Sequence, residues 1–195
     1  MRKLLYLLLS SLFLITGCIE RKFEDLADIP KTEDYQKYRI IDRNRIGFHF
    51  NHQIGNNSVK IETPKDLKVI LLDSKYQEVD YFYFLKFNNW FRKLVFNNGI
   101  MPINQNETLD CDNFAMLYKS LFGVAGYASK NTLEFAVASV VVYQVNEFGG
   151  IPKGGLHMLN LVFTSKNWYI YEPQTGKFIE LQNYPNQKYI QYIIL

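Results

Sequence analysis

Cysteine is almost missing from this chain: there are two in 195 residues, Cys18 and Cys111. No Cys-x-x-Cys or His-Glu-x-x-His pattern occurs, so the spacings that commonly hold zinc are absent. Histidine is scarce as well, at three. His49 and His52 differ by three positions and would face opposite sides of an extended strand. A metal site built from His49, His52, His157 and Cys111 is therefore not expected, and no metal, nucleotide or calcium signal is present. The chain lacks an internal repeat, a low-complexity block and a basic stripe, which leaves nucleic-acid binding without support. It also lacks an apolar run long enough for a lasting membrane span.

What is there begins at the N-terminus. Arg2 and Lys3 precede an apolar run from Leu4 to Ile15, followed by Thr16-Gly17-Cys18. A basic start, a short apolar stretch and small residues before the cut make a secretory signal peptide. Leu14-Ile15-Thr16-Gly17-Cys18 also resembles a bacterial lipobox, which implies cleavage before Cys18 and lipid on that residue. Attached acyl chains contribute about 0.8 kcal/mol per buried methylene, so several chains anchor firmly. Ile19 follows, with no aspartate as an inner-membrane retention signal, so the expected location is the cell envelope, at the outer membrane or cell surface. The expected divisions are 1–17 signal peptide, 18–45 lipidated cysteine and polar tether, and 46–195 a single domain. Without Arg2 and Lys3, 20 basic residues stand against 19 acidic ones, so the mature chain is nearly neutral.

With Cys18 committed to lipid, Cys111 is alone in an exported protein, where a disulfide partner would be the usual reason to keep it. Such a thiol is either buried and inert or used. Asp110 through Gly123 reads as a short helix, with Thr108 or Asp110 as N-cap and Gly123 as its left-handed end. Phe114, Leu117 and Leu121 form a buried stripe, which Ala115 and Phe122 widen. Cys111 then lies in the first turn, where unpaired N–H groups and the helix dipole favour a thiolate.

Upstream, Phe48 to Glu62 suits a β-hairpin turning at Gly55-Asn56-Asn57-Ser58. Pro64 to Asp73 fits either a short helix or a strand. Asp80 to Val95 reads as an aromatic-rich helix (Tyr81, Phe82, Phe84, Leu85, Trp90, Phe91, Leu94) with its face in the core. Downstream, residues 135–145 alternate as a strand, and Gly149 to Gly155 forms a flexible loop. Segments 156–164, 167–171 and 177–181 read as successive antiparallel strands. Helices first and sheet second is an α+β arrangement.

His157 opens one of these strands and Glu172 closes the next. Antiparallel pairing makes them neighbours, and packing the Cys111 helix on the sheet would bring thiol to imidazole. A nucleophilic cysteine needs a base, and the base an acceptor that fixes its ring; Cys111, His157 and Glu172 fill those roles.

Local sequence then resembles the transglutaminase-like superfamily, whose core is shared with papain-like cysteine proteases. The matching pieces are Cys111-Asp112-Asn113-Phe114-Ala115, Gly126-Tyr127-Ala128-Ser129-Lys130, His157-Met158-Leu159-Asn160-Leu161-Val162 and Trp168-Tyr169-Ile170-Tyr171-Glu172-Pro173. Together they cover roughly residues 100–181. Glu172 departs from the family's aspartate, Asn113 from an acid and Lys130 from an arginine; Met158-Leu159 lacks its small–aromatic pair. The resemblance implies a papain-like core with the Cys helix on an antiparallel sheet. Gln105 lies six positions before Cys111, where papain-like enzymes place an oxyanion glutamine; a solvated loop glutamine is the other account of it.

The expectation is thus a lipid-anchored, cysteine-dependent acyl transferase or hydrolase acting on amide bonds of a peptide, protein or cell-wall peptide. It needs no cofactor, and its oligomeric state is open. The alternative is a non-catalytic surface lipoprotein that uses the fold as a binding module. A third class, an envelope protein presenting its aromatic helix to a partner, requires an exposed hydrophobic face on residues 81–95.

Overall fold

The computed structural model describes residues 28–32, 40–42, 67–97 and 110–195. The chain divides into two units, 1–30 and 31–195, and the elements that follow belong to the second. The signal peptide, Cys18, most of the tether, the 48–62 hairpin with His49 and His52, and Gln105 lie outside the described residues. Among the described residues no helix is long and apolar enough to cross a membrane.

Three short strands come first: β1 (Ile40–Asp42), β2 (Lys68–Ile70) and β3 (Lys75–Gln77). Helices α1 (Tyr81–Asn97) and α2 (Cys111–Ala128) follow, then β4 (Val137–Gln144), β5 (Gly155–Phe163), β6 (Trp168–Glu172) and β7 (Lys177–Glu180). Two 3-10 turns lead to β8 (Ile190–Ile194). β1 and β3 form a two-stranded antiparallel pair; the six-stranded sheet has the order β2-β8-β4-β5-β6-β7. All its pairings are antiparallel except β2 with β8.

The α+β, papain-like and transglutaminase-like expectation is corrected here. Among the described residues three strands precede the helices, and a mixed sheet dominates, with two helices beside it. The physical reason lies in the ambiguous segment before Asp73. Leu67, Val69 and Leu71 alternate and pack on the buried aliphatic cluster, so the segment becomes an edge strand parallel to the C-terminal strand.

Period-2 burial sets β4. Ala136, Ala138, Val140 and Val142 are fully buried, whereas Tyr143 on the other face is exposed. With Leu159, Leu161, Phe163, Trp168 and Ile170 they make an aliphatic core on one side of the sheet. The other side is aromatic. Phe84 stacks on Tyr169, Phe87 on Phe122, and Tyr118 lies 4.4 Å from Tyr171 between ring centroids. Phe84, Phe87, Phe91, Phe114 and Phe122 are at most 1% exposed. Each such ring is worth roughly 1.5–3 kcal/mol of burial, so the aromatic stripe of α1 is core. Phe82 and Phe96 point outward instead, the Phe82 ring 4.7 Å from the Lys166 ammonium.

α2 is longer than the sequence suggests. Gly123 does not end it; the buried stripe continues through Phe122, Ala125 and Gly126. The chain turns instead at Lys130, which takes φ 60°. Lost helix propensity at two glycines, about 1 kcal/mol each, is smaller than the packing gained beyond them.

Candidate functional site at the start of α2

Asp110 caps α2 through a capping box with Asn113; the Asp110 N–H donates to Asn113 Oδ1 at 3.3 Å. The Asp110 and Asp112 carboxyls hydrogen-bond to each other across Cys111. Their interaction lowers the Asp110 pKa and raises that of Asp112. Cys111 is a free, half-buried cysteine at the first helical position. Its backbone N–H points out of the helix start, as first-turn donors do.

Pairing between β5 and β6 begins at Asn160↔Tyr171, so the first part of β5 is flanked by β4 alone. The start of α2 reaches this gap. The Met158 N–H, with no β6 partner, donates to Cys111 Sγ at 3.4 Å. Further along, Asn160 Nδ2 donates to Ala115 O of the helix at 2.9 Å and to Ala138 O of β4 at 3.3 Å. This fully buried amide ties α2 to the sheet and sets the height of Cys111 above it.

His157 is 6% exposed; it lies close to Cys111 and bonds through Nε2 to Glu172 Oε2. Burial pulls its pKa down, but the bonds to Cys111 and Glu172 outweigh that and push it up to about 9. Continuing the strand register puts Glu172 opposite Leu159, diagonal to His157. Diagonal neighbours lie about 7–8 Å apart, within reach of long side chains only, which accounts for glutamate at this position. Glu172 is fully buried; its other oxygen accepts the Gln174 N–H at 3.0 Å.

The loop before His157 is tied down, which corrects its reading as a flexible segment. Phe148 and Ile151 exchange backbone bonds of 3.2 and 3.0 Å. Gln144, 1% exposed, donates from Nε2 to Ile151 O at 2.7 Å and Pro152 O at 3.1 Å. Gly149 takes φ +64°, and a Cβ there would come within 3.1 Å of Lys177 and Thr175 and 3.5 Å of Glu172. Only glycine lets this backbone close over the buried carboxylate. Beneath it, burial holds the Tyr184 phenol well above its ordinary pKa; Asn186 opposes the rise and the Glu172 charge adds to it.

The structure therefore brings Cys111, His157 and Glu172 together. The Met158 N–H, Gln144, Gly149 and Tyr184 complete the site and were missed. Their roles run through backbone or through packing beneath the sheet, and only the doubled glycines carried a signal. Among the described residues no three His, Cys, Asp or Glu side chains group to hold a metal.

No family model and no curated protein matches the chain. Solved structures that it resembles are a PSL1a–E64 complex and a Polyporus squamosus lectin bound to the human-type influenza-binding epitope Neu5Aca2-6Galb1-4GlcNAc. They are 18% and 17% identical, with TM-scores of 0.48 and 0.44 over 68% and 66% of this chain. The matches cover 44% and 42% of those chains, so this chain spans less than half of either. The transglutaminase-like assignment is corrected: no family model matches the chain, and the solved structures it resembles are described as a PSL1a–E64 complex and a lectin. Short strings such as Phe-Ala after a cysteine or Glu-Pro after a strand also arise from ordinary helix and turn requirements, and the four pieces together made a misleading resemblance.

Proposed function

We propose that Cys111 is a thiol nucleophile and that the protein performs cysteine-dependent acyl transfer at an amide or ester bond, from a lipid anchor on Cys18 in the cell envelope. The observation that carries this reading is the buried His157 ring, beside Cys111 and bonded to a fully buried Glu172. The Cys111 thiolate attacks the acyl carbon, and the C=O electron pair moves to oxygen, near the Cys111 N–H. As the tetrahedral adduct collapses, the imidazolium gives its proton to the departing nitrogen or oxygen. Water or an amine then attacks the thioester, losing a proton to His157, and the thiolate leaves. Glu172 keeps the ring oriented and balances its charge. A peptide or cell-wall peptide is the substrate class that suits this location.

Iodoacetamide labelling tests this, followed on the Cys111 peptide by mass spectrometry across pH 5–9 in the full chain. Labelling at pH 6 should be at least about tenfold faster with His157 than in His157→Gln, since imidazolium-paired thiols stay reactive below neutral pH. Labelling confined to alkaline pH and indifferent to His157 would sink the nucleophile.

A second reading is a non-catalytic binding module at the cell surface. It is supported by a cleft at the far end of α2, bordered by an exposed tyrosine.

A further inference from the structure

The two faces of α1 follow different rules. Tyr83, Phe84, Phe87, Phe91 and Val95 are buried, with Phe84 on Tyr169 of the sheet and Phe87 on Phe122 of α2. On the opposite side Phe82, Lys86, Asn89, Lys93 and Phe96 follow at steps of four, three, four and three, which keeps them in one stripe. All five are exposed, Phe82 at 68% and Phe96 at 82%. The solvent face of a helix is ordinarily polar; this one begins and ends with a phenylalanine. Lys166 adds a third cation at its first end. From the turn between β5 and β6, its ammonium lies 4.1 Å from the Tyr81 ring centre and 4.7 Å from that of Phe82. α1 contains no aspartate or glutamate. Of the acids nearby, Asp80 accepts the Tyr83 N–H at 2.8 Å, and Glu180 accepts Asn167 Nδ2 at 2.8 Å.

We infer that this stripe rests on an anionic phospholipid surface. The inference goes beyond the thiol chemistry and owes nothing to it. Cations with no acid among them are complementary to anionic headgroups, and each one close to such a surface strengthens attachment about fivefold. Aromatic rings set among lysines suit the boundary between headgroups and acyl chains, where a helix lying flat buries its rings to a shallow depth. A protein partner fits less well. The two phenylalanines stand roughly 21 Å apart along the helix, with Lys86 and Lys93 between them, so they form no continuous apolar patch. Lysine is also depleted at the centres of protein interfaces.

The experiment places the full chain in phosphatidylcholine vesicles, with and without phosphatidylglycerol. Each vesicle carries a trace of a photoactivatable phospholipid, and crosslinked peptides are identified by mass spectrometry. Peptides from residues 81–97 should crosslink in the phosphatidylglycerol vesicles. The yield should be at least about fivefold lower without that lipid and in the double variant Lys86→Glu/Lys93→Glu. Phe82→Ser/Phe96→Ser should also reduce it. These side chains are exposed, so both variants should keep the parent rate of Cys111 labelling. Crosslinks confined to residues 1–30 would overturn the inference while leaving an N-terminal attachment in place. Crosslinks on α1 that ignore both phosphatidylglycerol and the lysine reversal would overturn it as well. Vesicles that retain no protein would remove both the N-terminal anchor and this contact.

Discussion

The two ends of α2 differ in how they treat buried polar groups. At the start, His157 and Glu172 are buried together and each has its partners: Nε2 on Oε2, the Gln174 N–H on Oε1, and Cys111 on the imidazole. At the far end, the Asn131 amide is buried with neither polar atom partnered. A satisfied buried network specifies a rigid geometry, whereas an unsatisfied group costs free energy until something meets it. Orphaned buried atoms occur at the first end too, at Asp110 Oδ1 and Asn160 Oδ1, but the His157–Glu172 pair itself is bonded.

The comparison breaks most severely if the first end is made like the second. His157→Ala leaves the Glu172 carboxylate fully buried with only the Gln174 N–H on it. Removing one member of a buried pair costs about 3–5 kcal/mol, so urea unfolding should show a loss of that order. Glu172→Gln keeps an acceptor for His157 and a group for the Gln174 N–H, and should cost well under half as much. Equal losses would mean that packing, not charge pairing, holds this end.

Much of the framework was legible before the structure, and the reasons are local. The alternation through Ala136 to Val142 and the stripe Phe84, Phe87, Phe91 are legible because each element buries one face against a single layer. Cys111, His157 and Glu172 could be singled out because a helix start, a strand start and a strand end meet by antiparallel geometry. What stayed hidden depends on distant chain. β2 is a strand only because β8, at the C-terminus, lies beside it in parallel. The end of α2 was misplaced because Gly123 signals a stop that the burial of Phe122, Ala125 and Gly126 overrides. Family membership was misread because residue strings record local demands, whereas the order of strands in the sheet records global ones.

A gentler way to break the first end is pH. His157 has a folded pKa pushed up to about 9 from the ordinary 6.5, so its charged form is favoured in the native state. Its contribution is fully present below 6.5 and is lost as pH rises through 9. At ~1.4 kcal/mol per pH unit, this amounts to about 3 kcal/mol. Urea midpoints should fall between pH 6 and pH 9.5, and the fall should shrink in Glu172→Gln, where the carboxylate that supports the charge is gone. A flat profile would mean that the imidazole is not the charged partner.

The smallest expected effect sharpens the contrast most. Asn131→Leu replaces an amide by an apolar group of similar size, in a place where the amide gains no bond inside the protein. Its desolvation penalty, roughly 1–3 kcal/mol when unsatisfied, then disappears, and Phe135 lies close by to receive the new side chain. The variant should unfold at the same urea concentration as the parent or a slightly higher one, a gain of up to about 1 kcal/mol. A neutral or favourable change would mean that the asparagine is retained at a cost to the fold. A loss above about 1 kcal/mol would assign Asn131 a structural role, and the two ends of the helix would then differ only in which of their partners are protein atoms.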